Sequence, residues 1–127
     1  MADKGGDRIM ELKNRSQYLD KLISVQDMEV IKVVTGIRRC GKSSLLKLMM
    51  AHLREQGVME EQILSMNFES MQFADMDSKQ LYPYVMERAP KGKRLYLFLD
   101  EVQKVRDWQN AVNSFRVDLD CDIYVTG

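Results

Sequence analysis

Residues Gly36-Ile37-Arg38-Arg39-Cys40-Gly41-Lys42-Ser43 follow the spacing G-x-x-x-x-G-K-[ST]. In a turn of this kind the glycines let backbone N–H groups face inward around an anion, and a helix that starts there adds the positive end of its dipole. The chemistry this allows is the cradling of a nucleotide's phosphates. Lys42 would reach the β- and γ-phosphates, Ser43 would ligate Mg²⁺, and Ser44 would donate to the α-phosphate. The competing reading is a glycine-punctuated turn into a helix. What separates the two is whether a strand precedes the turn and a helix follows it.

A second group of residues lies downstream, where Leu95-Tyr96-Leu97-Phe98-Leu99 runs straight into Asp100 and Glu101. Acids at the carboxyl end of a buried parallel strand stand where open α/β sheets bind ligands. Asp100 would hold the hydration shell of a Mg²⁺ ion, and Glu101 would orient and polarise an attacking water near the γ-phosphate. Alone, the pair reads more readily as a solvated acidic turn; joined to the phosphate loop it reads as a hydrolytic site. Downstream of the loop there is no Asp-x-x-Gly switch and no N/T-K-x-D guanine reader, which argues against a GTPase. A small-molecule kinase would not need a Glu directly after Asp100. Acid plus Glu therefore points to ATP hydrolysis.

These side chains need a scaffold, and the hydrophobic pattern supplies one. Ile9, Leu12, Leu19, Leu22 and Ile23 recur at helical spacing over residues 8–23. Residues 29–35, rich in β-branched side chains, predict a buried strand stopping at Gly36. A helix is expected over 42–56, with Leu45, Leu48, Met49 and Leu53 on one face and Gly57 as its stop. Residues 62–68 predict a second strand, and 78–88 a helix in which Pro83 would impose a kink or a late start. The 95–99 run, apolar on both faces, belongs in the middle of a parallel sheet. Asp107 is placed to cap a helix with Trp108, Ala111, Val112 and Phe115 on one stripe, and residues 122–126 predict a fourth strand. Alternating strands and helices give an α/β fold with a parallel sheet.

The whole-chain numbers fit one soluble domain. Of 127 residues 45% are hydrophobic and 30% charged, with 19 basic against 19 acidic side chains, so no domain-wide positive field attracts nucleic acid. The basic turn at 91–94 would touch nucleic acid only as a local patch, and reads more simply as solvated charge. No apolar run approaches the roughly 20 residues of a membrane helix, and the N-terminus lacks a signal peptide's apolar segment, so a cytoplasmic protein is expected. Cys40 and Cys121 fit a reducing compartment. Cys40 sits where a helix N-terminus and Lys42 would lower a thiol's pKa, although a small loop filler is the plainer reading. Cys121 would lie at the far end of the sheet from it. His52 has no partner at metal-ligand spacing. Met49, Met50, Met66 and Met86 read as core filler.

GIRRCGKSS, then LYLFLDEVQKVRDWQNAV and DIYVTG, resemble the AAA+-related P-loop ATPases of bacteria and archaea, in which the loop reads G-x-R-R-x-G-K-[ST] and the second motif continues as Val-Gln. The likeness covers nearly the whole chain and implies a three-layer P-loop fold with strand order 5-1-4-3-2. The fifth strand, a second sensor, the arginine finger and a C-terminal domain would fall beyond Gly127. It implies ATP and Mg²⁺ as cofactors, nucleotide contacts from Gly36, Arg39, Cys40, Gly41, Lys42, Ser43 and Ser44, catalysis by Lys42 and Glu101, and Mg²⁺ held by Ser43 and Asp100. Thr126 would be the sensor after the fourth strand, and Asn67 the polar residue that restrains Glu101, unless Asn67 simply forms a strand-end turn. Tyr18, Leu19 and Leu22 fall where such relatives contact adenine, or pack an amphipathic helix. The expected organisation is an N-terminal helix and lead-in over 1–28 and an ATPase core over 29–127. Weak binding and slow turnover are expected without the arginine finger. Other expected partners are the absent C-terminal domain and a homo-oligomer formed through the arginine-finger region. The alternatives are a nucleotide-dependent switch with incidental turnover and a nucleic-acid module, the latter disfavoured by the neutral charge.

Overall fold

The apolar run ending in Asp100 and Glu101 organises the molecule. The computed structural model describes residues 17–35 and 39–127, with backbone only for Arg39 and Cys40. Strand β3 (Leu95–Asp100) is buried at all six positions, so it requires a covering layer on each face. It lies between β2 (Ile63–Asn67) and β4 (Cys121–Thr126), and β1 (Lys32–Val34) pairs with β4. Every pairing is parallel, in the order β1-β4-β3-β2. The fourth strand therefore inserts between the loop strand and the acidic strand, as expected, and all four carboxyl ends share one edge.

Side-chain alternation divides the core in two. Leu95, Leu97 and Leu99 of β3, with Ile123 and Val125 of β4, face α3 (Ser78–Arg88) and α4 (Trp108–Asp118), where Leu81, Val85, Val112 and Phe115 cover them. Tyr96, Phe98 and Tyr124 face the other way, onto α2 (Arg39–Glu55) and a first helix, α1, at 17–24. Phe98 and Tyr124 stack with ring centroids 4.7 Å apart. This alternation also fixes the site: Asp100 continues the Tyr96–Phe98 series and Thr126 the Asp122–Tyr124 series, so both belong to the α2 face.

Several expectations need adjustment. The strand expected at 29–35 is only the three residues of β1. On α2 the buried stripe is Leu45, Leu46, Met49, Met50 and Leu53, while Leu48 is exposed; at 100° per residue the helix has turned Leu46 toward the sheet in its place. Helix α3 does not start late despite Pro83, because Asp77 and Gln80 form a capping box that fixes the first turn at Ser78. Asp107 does precede α4, but in a left-handed conformation (φ 59°, ψ 32°) with no side-chain cap bond. Residues 1–16, which hold most of the first expected helix, lie outside the described residues.

Lys32 was not singled out by the sequence, yet it is 4% exposed and pairs with Asp122, itself 1% exposed. Asp122 Oδ2 also accepts from Tyr124 Oη at 2.7 Å and from the Asp27 N–H at 3.0 Å. Lys32 Nζ donates to the Met28 carbonyl at 2.6 Å. The network ties the α1–β1 turn to the sheet; burial, with Asp122 beside it, raises the Tyr124 phenol pKa.

Candidate functional site

The carboxyl edge of the sheet brings three elements together. At the end of β3, Asp100 is 6% exposed, and its two carboxylate oxygens are taken by different neighbours. Ser43 Oγ, from α2, donates to Oδ2 at 2.5 Å, and Thr126 Oγ1, from the last residue of β4, donates to Oδ1 at 2.5 Å. Charge-assisted bonds of this length hold a carboxylate firmly in one orientation. Asp100 is thus joined to the N-terminal part of α2, where Gly41 is buried and Lys42, Ser43 and Ser44 are partly buried. There the first backbone N–H groups of the helix have no carbonyl a turn earlier.

Glu101 follows in a left-handed conformation (φ 58°, ψ 46°), which costs a non-glycine residue roughly 1–2 kcal/mol. Its neighbours hold it there. The Glu101 N–H donates to Thr126 Oγ1 at 2.9 Å, and Gln103 Nε2 donates to Glu101 Oε1 at 2.7 Å. One hydroxyl, that of fully buried Thr126, therefore bridges the carboxylate of Asp100 and the backbone of Glu101.

Other expected residues fall as follows. Gly36 and Arg38 lie outside the described residues, as do the side chains of Arg39 and Cys40. Asn67 ends β2 directly opposite Asp100 in the register, but its Oδ1 accepts from the Glu69 N–H at 2.9 Å, closing an Asx turn on the surface. In this conformation it is Gln103 that donates to Glu101. Tyr18 and Leu22 line a groove of about 350 Å³ between α1 and β1 that reaches Thr35, just before the loop, while Leu19 packs into the α2-side core. His52 is partly buried. Cys121 starts β4 at the opposite sheet edge, where burial raises its thiol to about 11 and suppresses thiolate reactivity. In the basic turn Lys93 pairs with Glu61, and Arg94 with Asp27 and Asp120, consistent with solvated surface charge.

Gln103 is the site residue that motif reading missed. It was visible as the Gln of the Val-Gln that continues the second motif, but with no role attached; the contact arises two residues after Glu101, whose backbone is left-handed. A Mg²⁺ ion fits the donor set that remains. Among the described residues no group of three or more His, Cys, Asp or Glu could cage a metal, yet one carboxylate beside one hydroxyl suits an ion that keeps its waters and arrives with phosphate oxygens.

Comparison with known proteins agrees with the α/β fold. A family model described as AAA domain matches residues 29–127. An uncharacterized protein of Haemophilus influenzae is 39% identical over 116 residues, covering 90% of this chain and 29% of that protein. The chain thus spans under a third of that relative's length. No solved structure matches. Among the described residues no helix is long and apolar enough to cross a membrane. With residues 29–127 matched, the chain belongs to the AAA domain family, a family of nucleotide-binding domains that are generally ATPases.

Proposed function

We propose that this domain binds ATP with Mg²⁺ at the N-terminus of α2 and hydrolyses it with Glu101 as the water-orienting base. The observation that carries the reading is the Ser43–Asp100 bond, which joins the loop-proximal helix to the acidic end of β3. Lys42 would neutralise charge on the β- and γ-phosphates, and Ser43 with Asp100 would hold the ion and its waters. A Mg²⁺ ion held there would supply charge neutralisation to the phosphates. Glu101 accepts the water proton as the water oxygen bonds to the γ-phosphorus. The bond from that phosphorus to the β,γ-bridging oxygen breaks, and ADP departs with the electron pair. Thr126, in contact with both acids, is the residue through which the sheet edge would sense the change.

Because the Haemophilus relative is more than three times longer than the matched stretch, we further propose that the nucleotide state of this domain is transmitted to portions of a longer protein. The experiment is ATP and GTP binding, with and without Mg²⁺, on the wild-type chain and on Lys42→Ala. Mg²⁺-dependent preference for ATP that Lys42→Ala abolishes is the expected result; binding unaffected by Lys42→Ala would overturn the assignment.

A further inference from the structure

We infer that Gln103 is a positioning residue for Glu101, held in place by the absence of a side chain at Gly127. This rests on the reading of Glu101 as the water-orienting base and adds to it the group that aims that base. Three observations converge. Gln103 Nε2 donates to Glu101 Oε1 at 2.7 Å. The backbone of Glu101 is fixed separately, by the bond from its N–H to Thr126 Oγ1, so the amide of Gln103 acts on the carboxylate alone. On its other side, the Gln103 amide lies so close to β4 that a Cβ built on Gly127 would meet Gln103 Oε1 at 2.3 Å.

The chemistry follows from the inventory of donors. A carboxylate that accepts a water proton must present one oxygen in a defined direction, and its longer side chain gives Glu more rotational freedom than Asp has. With Oε1 held by an amide, the other oxygen is the one offered to water. A base oriented by a third, neutral group is a recurring arrangement in catalytic sites. The seat for that group is shared between two elements. Gln103 belongs to the short helical turn after β3, whereas Gly127 directly follows Thr126, whose hydroxyl already holds Asp100. Displacement at the end of β4 would therefore reach Glu101 through Gln103 as well as through Thr126.

Gly127 makes the idea separable from general stability. A methyl group there is relieved most cheaply by swinging the flexible, exposed Gln103 side chain aside, with the fold left intact. Gly127→Ala should then reproduce Gln103→Met. For both variants kcat for ATP is expected to fall roughly three- to tenfold with KM within about twofold of wild type. The double variant should be no slower than Gln103→Met alone, since both changes remove one contact. In the nucleotide-free chain, the Gln103 side-chain amide resonance should move in both Glu101→Gln and Gly127→Ala. Turnover in wild type with kcat unchanged or raised in Gln103→Met overturns the inference and leaves the hydrolase reading standing. So do additive losses in the double variant. No turnover in wild type overturns the hydrolase reading and the kinetic role with it, and the amide resonance then decides alone whether Gln103 is tied to Glu101; a resonance unmoved by both substitutions overturns that too.

Discussion

Thr126 and Asp100, the last residues of two adjacent strands, share a 2.5 Å hydrogen bond in which the Thr126 hydroxyl donates to Oδ1 while accepting from the N–H of Glu101. That one hydroxyl sets the carboxylate on one strand end and the strained turn after it. Removing it without changing shape, by Thr126→Val, leaves a buried N–H and a buried carboxylate oxygen each one partner short. The expected cost is about 1–3 kcal/mol of stability, with ATP turnover reduced roughly tenfold. Thr126→Ser keeps both bonds and should lie within about 1 kcal/mol of wild type. Urea denaturation and phosphate release on the two variants check this; identical behaviour of Val and Ser would remove the hydroxyl from the account.

The Lys32–Asp122 pair makes a prediction about the fold rather than the chemistry. Both groups are almost completely buried, and breaking such a pair from one side leaves an uncompensated charge, at about 3–5 kcal/mol. Lys32→Met should lower the denaturation midpoint accordingly. Lys32→Met combined with Asp122→Asn should recover part of the loss, because a neutral amide still accepts from the Tyr124 hydroxyl and the Asp27 N–H. A double variant that costs the sum of the two singles would show that the residues are not coupled.

Alkaline pH should destabilise the domain through Tyr96. Burial first, and then its 2.8 Å bond to Asp27, raise its phenol to about 12 from an ordinary 10.0. A group whose pKa is raised by folding contributes stability that is complete below the unfolded value and is lost as pH climbs from about 10 towards 12. Tyr96→Phe should make that alkaline limb less steep, leaving the part carried by Tyr124 and Cys121, which burial also raises. Stability by denaturation at stepped pH, alongside tyrosinate absorbance, checks it; an unchanged limb in the variant would assign the loss to other groups.

Much of the positioning scaffold was legible because its signals are local and redundant. Five apolar residues in a row at 95–99 point to mid-sheet, where the structure buries them, and period-2 alternation then carries Asp100 to the α2 face whatever the loops do. The pattern over 78–88 predicts a helix, but the Asp77–Gln80 capping box that holds its start against Pro83 was overlooked. What escaped depends on tertiary context. Lys32 drew no notice because nothing local announces Asp122, ninety residues away. Leu46 and Leu48 are both apolar flanks of one stripe, and only the seating of α2 chooses between them. Gln103 became part of the site through the left-handed turn at Glu101, a conformation that a Glu does not advertise.

In the proposed reaction Glu101 orients the attacking water for ATP hydrolysis at a Mg²⁺ site built by Ser43 and Asp100. Phosphate release from MgATP by Glu101→Gln, with nucleotide binding measured on the same preparation, tests it most directly. Binding is expected within about threefold of wild type, with turnover lowered by roughly a hundredfold or more. Turnover equal to wild type with binding intact would contradict it.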